Sequence, residues 1–162
     1  MSREMALRLN LGEIEIEARE HHFSAPQPDF PQIAELGEKV RLLGYRHKKE
    51  AVAGEEINII LYWQALGEME RNYARFIHLL NSQGERVAQR DSQPGKGSLP
   101  TTSWVTNEFL SESVPLDLPE ELPPGEYYLI VGFYDPANWQ RLMSADGADH
   151  ILLTQPIQVI QS

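Results

Sequence analysis

The amino-acid sequence predicts an all-β fold: an immunoglobulin-like, antiparallel β-sandwich of about 7–9 strands with no long helix. Apolar and polar residues alternate with a period of two in run after run, and Gly, Pro, Asn and Asp cluster between the runs. Nowhere do apolar residues recur at i, i+3, i+4 and i+7 over three turns, so no long amphipathic helix is expected. Many short strands without crossover helices bury their apolar faces by packing two sheets together. At 162 residues, 41% hydrophobic and 23% charged, the chain can bury a real core without staples. A single domain over residues 1–162 is the expectation.

Residues 1–20 are expected to supply an N-terminal strand, centred on Glu13–Ala18, where carboxylates and small or branched apolar residues take opposite faces. Residues 21–37 carry Pro26, Pro28 and Pro31 and read as a Pro-rich crossing loop, with a short helical turn in Phe30–Leu36 as the only helical candidate. Lys39–Tyr45 resumes a strand. After a charged stretch and the Gly54 turn, Glu56–Trp63 is apolar on both faces, as an inner strand should be, with Trp63 in the core. Tyr73–Leu80 and Arg86–Arg90 form a hairpin around Asn81–Glu85, and the long, irregular Asp91–Thr106 segment follows. Phe109–Leu118, Glu126–Tyr134, Trp139–Met143, His150–Leu153 and Ile157–Ile160 complete about nine extended runs. Pro123-Pro124-Gly125-Glu126-Tyr127 has the spacing of a tyrosine corner, which gives Tyr127 and Gly125 structural roles.

The composition closes several functional classes. With no cysteine, disulfides, thiol catalysis and Cys-based zinc sites are excluded. A net charge of −10 with no basic patch disfavours nucleic acid and anionic membrane surfaces. The longest near-continuous apolar run, Tyr127–Tyr134, is far shorter than the roughly 20 residues of a spanning helix, so no direct membrane insertion is expected. Glu4 and Arg8 interrupt what a signal peptide would keep apolar, and the chain as it stands reads as soluble. His21-His22, adjacent on an extended chain, point apart and do not converge on a metal. Asp146-Gly147-Ala148-Asp149 is a turn rather than a calcium loop. There is no Gly-X-Ser-X-Gly elbow, and Gly95-Lys96-Gly97-Ser98 lacks Walker spacing. The expectation is therefore no catalytic residue, no metal and no cofactor.

One polar constellation stands out: His78, Arg90, Asp91 and Trp104, in or beside one hairpin and the loop that follows it. Read as a ligand site, Trp104 stacks on a sugar ring while Asp91 and Arg90 hydrogen-bond hydroxyls. Read structurally, which is the weightier alternative, His78 and Asp91 pin the long loop and Trp104 plugs the end of the sandwich. Trp139, beside the Asp135-Pro136 turn, is expected to be partly exposed.

Several segments together carry a resemblance: Leu43-Gly44-Tyr45, Ile59–Ala65, Phe76–Leu80, Val87–Asp91, Pro100–Trp104, Pro124–Tyr127 and Val131–Asp135. Over residues 11–160 the pattern resembles an uncharacterised β-sandwich module at the C-terminus of bacterial polytopic membrane proteins of the dolichyl-phosphate-mannose-dependent glycosyltransferase type. The module has no catalytic motif to transfer. The resemblance implies an accessory or interaction module, extracytoplasmic or membrane-associated through a larger parent protein, binding glycan or an envelope protein; His78, Asp91 and Trp104 belong to the shared pattern. The leading expectation is a non-catalytic accessory module of a cell-envelope glycosyltransferase system. A carbohydrate-binding module with an aromatic platform is the alternative, and a protein-interaction domain pairing through an edge strand such as Glu13–Ala18 is the third.

Overall fold

The computed structural model describes residues 8–11, 14–17 and 19–161. In chain order the strands are β1 (Arg8–Leu11), β2 (Ile14–Glu17), β3 (Phe30–Leu36), β4 (Val40–Arg46), β5 (Glu50–Val52), β6 (Glu56–Ala65), β7 (Ala74–Leu80), β8 (Arg86–Ser92), β9 (Phe109–Asp117), β10 (Gly125–Tyr134), β11 (Ile151–Leu152) and β12 (Ile157–Ile160). The helical elements among the described residues are two short 3-10 turns, Pro94–Gly97 and Thr101–Ser103. The larger sheet has six strands in the order β5-β12-β10-β7-β8, with β11 also paired to β10; the smaller has four, β3-β4-β6-β9. Among the described residues β1 and β2 pair with each other and with no other strand.

The core follows from period-two alternation on the central strands. Ile57, Ile59, Leu61 and Trp63 of β6 and Leu110, Val114 and Leu116 of β9 point inward from the smaller sheet. Ile77 and Leu79 of β7 and Tyr127, Leu129, Val131 and Phe133 of β10 meet them from the larger. Trp63 packs edge-on against Phe133, ring centroids 4.9 Å apart. Such facing apolar layers are what an expected β-sandwich requires.

The structure corrects the expectations in three places. Phe30–Leu36 is a strand and neither loop nor helical turn, so the Pro-rich crossing segment ends at Asp29. Because β3 is an edge strand, Pro31 sacrifices little: a register irregularity between Pro31 and Ala34 accommodates it. Trp139–Met143 returns along β10 through a single bridge, Tyr134 to Arg141, rather than as a strand. β5, three residues long, pairs with β12 in parallel, so the larger sheet is not wholly antiparallel. Of the expected N-terminal strand, Ile14–Glu17 forms β2 against β1, while Glu13 and Ala18 lie outside the described residues.

Candidate functional site

The outward face of β7, β8 and β10 holds a groove of about 320 Å³. Register decides its contents. Phe76 of β7 lies between Gly132 of β10 and Asp91 of β8, and His78 lies between Ile130 and Gln89. Directly opposed residues share a face, so Phe76, His78, Gln89 and Asp91 all project outward, away from the core side of Ile77 and Leu79. Gly132 makes the floor possible: a Cβ there would sit 2.5 Å from Phe76 Cζ, so the phenyl ring occupies space a side chain would otherwise fill. The Arg141 guanidinium covers that ring at 4.2 Å, a cation–π contact, and the His78 ring lies 5.0 Å away.

At one end of the groove stands an aromatic pair. Trp139 stacks on Tyr134 with centroids 5.2 Å apart and planes at 17°, yet remains 72% exposed. Its φ of 64° is left-handed, an uncommon conformation for a bulky residue and one that surrounding contacts must hold. The Trp139 amide donates to the Asp135 carbonyl at 2.7 Å, and the Asp135 side chain accepts from the Ala137 amide and from Arg71. One indole face is thus backed by Tyr134 while the rest of the ring faces solvent.

Charges alternate around the groove. Asp91 Oδ1 is 3.9 Å from His78 Nε2, and burial together with the Asp91 charge pushes the Tyr134 hydroxyl above its ordinary pKa. Asp149 accepts from His150 at 2.8 Å and lies 3.4 Å from Arg141. Burial lowers the His78 pKa, Asp91 opposes that shift, and Arg86, Arg141 and His150 reinforce it. Arg86 sits on the far rim, exposed, with no ion-pair partner among the described residues. The arrangement can present an aromatic face next to hydrogen-bond donors and acceptors. Among the described residues no group of three or more His, Asp or Glu is placed to hold a metal ion.

Of the residues singled out from sequence, the structure brings His78 and Asp91 together and leaves the other two elsewhere. Arg90 is opposite Ile77, so alternation puts its side chain on the other face of β8 from Asp91. Trp104 is 1% exposed; its indole N–H donates to the Leu99 carbonyl at 3.0 Å and its ring lies edge-on to Phe133. It offers no face to a sugar. The long loop is fastened by other groups as well: Thr101 Oγ1 accepts from the Tyr73 amide and donates to the Arg71 carbonyl. Trp63 is buried in the core. The Tyr127 hydroxyl donates to the Pro123 carbonyl at 2.6 Å, forming the expected corner, and Gly125 enters the strand at φ 149°. Sequence reasoning missed Phe76, Tyr134 and Arg141 as groove residues. Phe76 and Tyr134 were legible only as outward positions on apolar strands, and Arg141 reaches the groove through a tertiary contact.

Two further features lie apart from the groove. Between the sheets, Arg75 Nε and Nη2 pair with Glu112 at 3.1 and 3.0 Å, and Trp63 Nε1 donates to the same carboxylate at 3.1 Å. Arg75 also donates to the Arg90 carbonyl and to Ser92, so the pair is hydrogen-bonded throughout and ties β8 to the sandwich. A larger hollow of about 730 Å³ lies against β6 and β9, lined by Arg19, Tyr62, Leu99 and Phe109 among others. Its Arg19 is committed to buried Glu108 at 2.6 Å.

No family model matches the chain. No curated protein matches it either. Among solved structures, the C-terminal domain of wzt is similar at 11% identity and a TM-score of 0.49, with 84% of this chain and 82% of that one covered. A CARDB domain from Pyrococcus furiosus, solved with di-metal ions, is similar at 10% identity and 0.44, covering 85% and 96%. A Niemann-Pick type C2 protein from Japanese carpenter ant is similar at 8% identity and 0.47, covering 78% and 95%. At such identities and TM-scores the likenesses carry no function over to this chain.

Proposed function

We propose that this chain is a non-catalytic accessory module that binds carbohydrate in the groove on the outer face of β7, β8 and β10. The supporting observation is the Tyr134–Trp139 stack, which holds a largely exposed indole in a left-handed backbone conformation beside hydrogen-bonding side chains. Sugar rings carry apolar C–H faces and a rim of hydroxyls, so an aromatic face next to Asp91, Gln89 and Arg141 suits both. The platform is Trp139, not Trp104. Association with a cell-envelope glycosyltransferase system remains part of the proposal on the resemblance of sequence pattern alone.

Tryptophan fluorescence titrated with a panel of oligosaccharides tests the reading. At least one sugar is expected to shift the emission, and Trp139→Ala to abolish the shift while leaving the melting temperature within about 2 °C, since the ring is exposed. No shift and no calorimetric binding across the panel would remove the carbohydrate reading. Glycosyl hydrolysis or transfer by the purified chain would remove the non-catalytic one.

A further inference from the structure

We propose that the groove takes an anionic oligosaccharide, with one ring stacked on Trp139 and a carboxylate or phosphate of another sugar unit held by Arg86. This rests on the carbohydrate reading above and specifies its ligand. The two carboxylates beside the groove are already engaged: Asp149 by Arg141 and His150, and Asp91 by Gln89 and by His78. Arg86 is different. It lines the groove, is exposed, and has no carboxylate within ion-pair distance among the described residues. The guanidinium presents a planar fork of donors that suits carboxylate and phosphate. In a chain of net charge −10, an arginine on the rim of a concave site with no ion-pair partner among the described residues is not explained by packing.

Position adds the second half of the inference. Tyr134, which backs Trp139, pairs with Ala74 at one end of β7, while Arg86 pairs with Leu80 at the other. Six residues of strand separate those ends, about 20 Å of backbone. Side chains leaning inward shorten the span, but the two anchors still sit at opposite ends of the groove, with Phe76 and His78 on the floor between them. A monosaccharide touching Trp139 therefore does not reach Arg86, and an oligomer does. The other ionisable groups lining the groove between the two anchors are His78, Asp91, Tyr134 and Arg141.

The experiment is isothermal titration at low ionic strength with an oligogalacturonate, its carboxyl-reduced neutral counterpart, monomeric galacturonic acid, galactose and a phosphorylated oligosaccharide. The oligouronate is expected to bind about tenfold tighter than the reduced oligomer, the margin one charge-assisted contact supplies. Arg86→Gln should erase that margin and leave neutral binding unchanged, and Trp139→Ala should weaken both. The monomeric acid should gain nothing over neutral galactose. If only the phosphorylated oligosaccharide shows the Arg86-dependent gain, the anion is a phosphate, and the inference holds in that form. Equal binding of charged and neutral oligomers, with Trp139 still required, would overturn this inference while the carbohydrate reading survives. Absence of binding by every sugar, charged and neutral, would overturn both.

Discussion

Tyr127 and Gly132 show how single residues fix local geometry on opposite faces of β10. The Tyr127 hydroxyl reaches back four residues to the Pro123 carbonyl and closes the turn that feeds the strand. Tyr127→Phe keeps the buried ring and deletes that bond. The expected cost is about 1 kcal/mol, read as a lower urea midpoint at unchanged slope, with ligand binding intact. Gly132 acts through absence of a side chain. In Gly132→Ala the new methyl would meet Phe76 at 2.5 Å, and the floor of the groove must move, carrying the Arg141 guanidinium with it. Overpacking of this kind costs about 1–3 kcal/mol, and here sugar binding should weaken along with stability. An alanine variant that binds normally would show that Phe76 and Arg141 do not shape the site.

Between elements, the buried Arg75–Glu112 pair joins β7 to β9 across the core and fastens the carbonyl of Arg90 and the side chain of Ser92. Both partners sit at core-facing positions of their strands' alternation, two opposite charges where apolar residues are the rule. Removing one leaves the other buried without a counter-charge. Glu112→Ala is therefore expected to cost about 3–5 kcal/mol in chemical denaturation, and Arg75→Met with Glu112→Leu together distinctly less. If the double variant were as unstable as the single one, the pair would be stabilising beyond mutual neutralisation. The element-level misreadings have separate causes. Pro26, Pro28 and Pro31 announce a loop, but the backbone of β3 needs ladder bonds on one side only, and an edge position tolerates a proline that a central strand would not. β5 is too short to show a period, and its parallel partner lies more than a hundred residues away in the chain, so nothing local signals it.

At the scale of the whole molecule, burial makes stability depend on pH. His47 and His78 are both lowered from 6.5, first by burial; nearby backbone groups at His47 and Asp91 at His78 oppose the shift only in part. Below 6.5 the unfolded chain takes up protons that the folded chain resists, so stability is full above that pH and falls as the pH drops through the lowered folded values. A second loss follows below 4.5. There burial alone would raise Glu108, but its hydrogen bonds to Arg19, His21 and the Val105 amide outweigh burial and lower it, so protonation again favours the unfolded chain. Urea midpoints measured from pH 7.5 to 5.5 should fall, and His47→Phe with His78→Phe should flatten that limb. A wild-type midpoint constant over this range would refute the linkage.

What the sequence determined by itself is what alternation and turn chemistry encode: an all-β chain, an inner strand over Glu56–Trp63 with Trp63 in the core, and the corner at Tyr127. It also picked out His78 and Asp91, which share a face because Asp91 lies two residues along β8 from Gln89, the partner of His78. Only tertiary structure decided which residues join them. Arg90 faces the other way because side chains alternate, and Trp104 is inside because the loop folds back over the sandwich end. Arg86, Tyr134, Trp139 and Arg141 converge from β8, from β10 and from the segment beyond it. Side-chain period is a property of one strand and can be read along the chain, whereas a groove is a property of several strands in register, and register is set by long-range pairing.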